Sequence, residues 1–86
     1  MKFTVVIEKP AERFITRLAQ SEKERVLKAI RELPHKGDIK RLQGKKSLGM
    51  YRLRVGPYRI IYTVDNGRLI VCVVDAGNRG DIYKRY

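Results

Sequence analysis

At 86 residues, 43% hydrophobic and 34% charged, the chain reads as one small domain spanning 1–86, able to close a modest core but too short for a deep cofactor cavity. Its 20 Lys and Arg against 9 Asp and Glu leave a net charge of +11, a field that attracts polyanions and speeds encounter with them. A single cysteine excludes an internal disulfide framework and fits a reducing cytoplasm, and the apolar run in MKFTVVIEKP is too short for a signal peptide or a membrane span.

Residues 2–8, KFTVVIE, are rich in β-branched side chains and predict a strand. Lys9-Pro10 opens a helix, since proline suits the first helical turn, and Ala11, Phe14, Ile15, Leu18 and Ala19 follow at the spacing of one apolar stripe. SEKE at 21–24 has the form of a capping box, with Ser21 as cap and Glu24 reaching back. The second helix places Val26, Leu27, Ile30 and Leu33 on its inner face and stops before Pro34, so the pair forms a helical hairpin.

Residues 35–49, HKGDIKRLQGKKSLG, read as a polar basic loop. Three strands are then predicted, at 50–55, 58–65 and 68–75. Gly56-Pro57 makes a two-residue turn that sets Arg54 opposite Arg59, and Asn66-Gly67 makes the next turn. AGNRGDIYKRY is expected to end in a short helical turn. The order β-α-α-β-β-β gives an α+β fold, with the helices on one face of an antiparallel-dominated sheet.

Period-two alternation puts Tyr51, Leu53, Val55, Tyr58, Ile60, Tyr62, Val64, Leu69, Val71 and Val73 under the helices. The opposite face carries Arg52, Arg54, Arg59, Ile61, Thr63, Ile70, Cys72 and Val74, a shallow basic site on an apolar floor. Between Lys36 and Arg59 stand eight basic residues and one acid, Asp38. Like charges directly opposed across a ladder are destabilising by roughly 0.2–1 kcal/mol. A bound phosphate would offset that repulsion, because guanidinium donates bidentately to phosphate oxygens.

With one histidine, His35, and one cysteine, Cys72, there is no zinc set and no paired-histidine ribonuclease. No P-loop or dinucleotide fingerprint is present, and neither metal nor cofactor is expected. Two readings remain open from the residues: acid–base chemistry by Arg, Lys or Tyr around a phosphodiester, or RNA binding without cleavage. For cleavage, RNA brings its own 2′-hydroxyl nucleophile and the protein neutralises the phosphate.

YRLRVGPYRIIYTVDNGRLIVCVVDAGNRGDIY (51–83), with RLQG at 41–44 before it, resembles the RelE branch of the RelE/ParE toxin superfamily of type II toxin–antitoxin systems. The order and spacing match over the whole chain. The resemblance implies a RelE-like fold similar in topology to microbial ribonucleases. It also implies a ribosome-dependent endoribonuclease that cuts mRNA in the A site and leaves a 2′,3′-cyclic phosphate. By the same likeness Arg52 and Arg54 match two basic residues near the scissile phosphate. Arg59 matches the arginine on the transition-state phosphate, Arg79 the one near the leaving oxygen, and Tyr83 the tyrosine that orients the nucleotide. Lys40, Arg41, Lys45 and Lys46 of the basic loop are the expected contacts to substrate or small-subunit rRNA. The best-studied members carry lysines where this chain has Arg52 and Arg54, the second being the proposed base. Arginine, with a pKa above about 12, suits charge neutralisation better than proton acceptance. Implied partners are an acidic RelB-like antitoxin, the ribosome with its mRNA, and operator DNA through the antitoxin complex only. A ParE-like gyrase inhibitor and a non-catalytic RNA-binding protein are the alternatives.

Overall fold

The computed structural model describes residues 2–43 and 49–78. In chain order the elements are β1 (Thr4–Ile7), α1 (Lys9–Thr16), α2 (Gln20–Arg31), β2 (Asp38–Arg41), β3 (Met50–Val55), β4 (Tyr58–Asp65) and β5 (Ile70–Asn78). The five strands form one mixed sheet, ordered β1-β5-β4-β3-β2, in which only the β1–β5 pairing is parallel. Both helices lie on one face, and the α+β expectation holds. The core joins Ala11 and Ile15 of α1, Val26 and Ile30 of α2, and Leu33 beyond it, to Leu53, Val55, Ile60, Tyr62, Val71, Val73 and Ala76 of the sheet. Burial of apolar surface at roughly 25 cal/mol per Å² is what holds this interface together.

Several local expectations are corrected. The helix expected to begin after Ser21 begins at Gln20 with Ala19 as its N-cap, and no side-chain cap bond forms. Ser21 therefore sits inside the first turn, and Glu24 Oε1 instead accepts from Gln20 Nε2 at 3.1 Å. The polar stretch read as loop contains β2, an edge strand of alternating character in which only Ile39 is drawn toward the core. Gly37 makes its entry possible: φ is +127°, and a Cβ there would lie 2.6 Å from Leu53 Cδ1.

The β3–β4 hairpin matches expectation, with Val55 paired to Tyr58 and Arg54 to Arg59. Gly56 takes φ +56°, as the first central residue of a type II′ turn must, and Pro57 supplies the negative φ that follows. The next hairpin does not form the two-residue Asn-Gly turn. Asp65 pairs with Ile70, leaving 66–69 as the loop. Asp65 Oδ1 accepts the Arg68 N–H at 3.0 Å, and Leu69 closes the loop at φ 56°. The two-residue shift preserves side-chain parity, so Val71 and Val73 still face the helices. A bulge then changes that parity. Tyr62 pairs with Val73 and Ile61 with Asp75, so Val74 is unpaired and Asp75 turns to the face opposite the helices.

Candidate functional site

The register of the last four strands in the sheet order assembles a basic surface on the face without helices. One row crosses the sheet as Asp38, Arg54, Arg59 and Gly77; the next runs Lys40, Arg52, Ile61 and Asp75. Four of the expected residues, Lys40, Arg52, Arg54 and Arg59, thus lie in two adjacent rows. Arg41, opposite Tyr51, points to the other side of β2. Lys40, Arg41, Leu42, Gln43 and Arg52 nonetheless line one groove of about 350 Å³. Arg79, Tyr83, Lys45 and Lys46 lie outside the described residues.

The surface differs from an open cradle. Its middle is closed: Ile61 is 0% exposed, and Arg59 and Asp75 are 4% exposed. Of the expected apolar floor only Ile61 is buried, Thr63, Ile70, Cys72 and Val74 being partly exposed, and the exposed cations of the two rows are Arg54 and Lys40. Arg59 turns its Nη1 to the hairpin's own carbonyls, Gly56 O at 3.2 Å and Tyr58 O at 3.1 Å. This explains how two arginines tolerate direct opposition. One guanidinium is held by turn dipoles while the other extends into solvent. Arg59 Nε is buried with no hydrogen-bond partner, and so is Arg52 Nε. A buried donor left without an acceptor costs about 1–3 kcal/mol, a cost that an anion reaching either guanidinium would offset.

Two carboxylates on this face escape sequence reasoning. Asp38 falls in the stretch whose composition predicts a loop, yet its Oδ1 accepts from Arg52 Nη2 at 3.1 Å. Asp75 reaches the face only through the bulge, and its Oδ1 accepts the Ala76 N–H at 2.9 Å. The acid Asp38 four residues past Pro34 and amid cations was the available signal for the first; nothing in the alternation of 70–75 announces the second.

Other groups lie apart from the two rows. Tyr62 stacks on Tyr51 under the helices, centroids 5.6 Å apart, and burial with the neighbouring phenol pushes its pKa up to about 12. Burial, with a hydrogen bond and the negative charge of Glu8, also raises the Cys72 thiol; its Sγ–H donates to Glu8 Oε1 at 3.4 Å. A larger groove, about 630 Å³, opens on the helix side between β1 and the end of α2, lined by Phe3, Val5, Leu33 and His35 among others. Among the described residues no three His, Cys, Asp or Glu side chains come together as a metal set, and no helix is long and apolar enough to cross a membrane.

The family model for the ParE toxin of the type II toxin–antitoxin system parDE matches residues 5–83. The fold is similar to that in the archaeal RelE–RelB complex from Pyrococcus horikoshii OT3, at 26% identity and TM-score 0.74 over 94% of this chain and 99% of that one. It is also similar to the RelBE2 toxin–antitoxin complex from Mycobacterium tuberculosis, at 24% identity and TM-score 0.73 over 92% and 100% of the two chains. The isolated E. coli RelE toxin gives 21% identity and TM-score 0.70 over 95% and 92%. A search of curated proteins gives no match. With its sequence matched from the first strand to the tail and its sheet and helices arranged as in these toxins, the chain belongs to the RelE/ParE superfamily as a toxin of a type II toxin–antitoxin system.

Proposed function

We propose that this toxin is a metal-independent endoribonuclease that cuts mRNA in the A site of the ribosome. One observation carries the proposal: Lys40, Arg52, Arg54 and Arg59 share two adjacent rows of one sheet face, with two buried guanidinium Nε donors that have no acceptor. Such a surface neutralises a phosphodiester on its way to a pentavalent phosphorane. The 2′-oxygen attacks phosphorus, the bond to the 5′-oxygen breaks, and a 2′,3′-cyclic phosphate and a 5′-hydroxyl result. Arg52 and Arg54 hold the scissile phosphate and Arg59 stabilises its added charge. By resemblance, Arg79 serves the leaving oxygen and Tyr83 orients the base. Guanidinium is a poor proton acceptor, so the 2′-hydroxyl proton passes to a group of the ribosome rather than to the Arg54 side chain.

Lys40, Arg41, Lys45 and Lys46 contact rRNA in this scheme. The toxin–antitoxin complexes among its structural relatives support an antitoxin partner; in this scheme that partner is acidic, operator DNA is reached only through their complex, and the toxin acts in the cytoplasm. Purified toxin should cleave mRNA on translating ribosomes and leave free mRNA intact. Arg59→Gln and Arg79→Ala should each lower the single-turnover rate by about 10²–10³-fold, with circular dichroism unchanged. Full activity in both variants overturns the assignment. The family model's ParE name favours a second reading, poisoning of DNA gyrase. Inhibition of supercoiling without ribosomal mRNA cleavage would establish it instead.

A further inference from the structure

Asp38 is the only acid between Lys36 and Arg59. It opens the edge strand β2 directly across from Arg54, the partner an ordinary cross-strand ion pair would use. Its carboxylate lies instead against Arg52, diagonally placed, with Nη2 donating to Oδ1 at 3.1 Å. The Arg52 side chain is 16% exposed and that of Asp38 is 57% exposed, so the acid sits on the solvent side of the guanidinium. Arg52 Nε is buried and without a partner, and Arg54 makes no ion pair among the described residues. Lys40 flanks Arg52 on the same face, and Arg52 lines the 350 Å³ groove with it.

We propose that Asp38 is a positioning residue that stands where a substrate phosphate will bind, holding the Arg52 guanidinium over the groove and yielding it to the incoming anion. Carboxylate and phosphate oxygens present the same acceptor to a guanidinium. Asp38 engages a single nitrogen, whereas a phosphate with two free oxygens can take Nη2 and Nε together. A pair with so exposed a carboxylate is weak, and it exchanges readily. The anion's identity as RNA rests on the function proposed above; the exchange rests on the ion pair alone.

Two measurements separate these. In the first, the Arg52 Nε–H resonance is followed by NMR as inorganic phosphate is added to the full chain. Asp38→Asn should lower the half-saturating phosphate about five-fold, and Asp38→Glu should return it to the native value. Glu24→Gln removes the same charge from an exposed position on α2 and should leave the midpoint near native. If Asp38→Asn behaves like Glu24→Gln, the proposal is overturned, whatever RNA does. In the second, fluorescence anisotropy follows a short single-stranded RNA. Asp38→Asn should tighten binding about five-fold, and the gain should vanish in an Arg52→Ala background. A positive phosphate result with no change in RNA affinity keeps the exchange and removes RNA as the anion.

Discussion

Burying a guanidinium is tolerated only when its protons find acceptors, and Arg59 finds two of them in its own hairpin turn. The turn therefore does more than reverse the chain: its carbonyls fix Nη1 of Arg59, while Nε stays buried without a partner. At Tyr62 the demand is for neutrality. Its phenol is buried among apolar side chains, and folding favours the protonated form. Its contribution to stability is complete below the ordinary value of 10.0 and is lost as pH rises toward about 12. Urea midpoints measured across that range should fall for the native chain, and Tyr62→Phe should flatten the fall. Gly37 carries a steric demand. Alanine there meets both a left-handed backbone and Leu53 Cδ1 at 2.6 Å. Gly37→Ala should cost about 2–4 kcal/mol in denaturant unfolding, and an unchanged midpoint would show that the β2 entry relaxes freely.

Hydrophobic periodicity made most elements legible, because α1, α2, β3 and β4 each bury a regular stripe against a common core. β2 was not legible, since an edge strand of four residues with one half-buried side chain leaves no alternation strong enough to stand out from a basic loop. Its absence from the sequence reading hid Asp38, and so hid the ion pair on Arg52. Asp75 was lost for a different reason. A bulge is set by how two strands fit, and the run VVDAG gives no local sign of the extra residue. The Arg54–Arg59 opposition, in contrast, followed from Gly56-Pro57 alone, because a two-residue turn dictates register. The β4–β5 loop shows the limit of that rule. Asn66-Gly67 loses to a four-residue loop, whose cost is a leucine at φ 56°. Leucine in the left-handed region is unfavourable by roughly 1–2 kcal/mol, and Leu69 is not part of the core. Leu69→Gly should accordingly raise stability by about 0.5–1 kcal/mol, net of added chain entropy. A lower unfolding midpoint would mean that its side chain packs more tightly than its partial exposure implies.

On the scale of the whole molecule, the net charge of +11 has two components that make different demands on an RNA partner. Cations on and beside the helices, such as Arg13, Arg17 and Lys28, are exposed and belong to the layer on the other side of the sheet from the arginine rows. They contribute a long-range field that steers encounter and is screened beyond a Debye length of about 8 Å at physiological salt. Cations aligned on the sheet face release counterions only where they touch phosphate. For single strands the slope of log K against log salt changes by about 0.7 for each such contact. Replacing Arg13, Arg17 and Lys28 with glutamine should therefore slow RNA association at low salt yet move the slope by less than about 0.5. The pair Lys40→Gln and Arg54→Gln removes less charge but should flatten the slope by about 1.4. Measured side by side on one oligonucleotide, equal slope changes per charge removed would mean that RNA reads the field of the whole toxin. Unequal changes of the stated size would place its contacts on the face built by β2, β3 and β4.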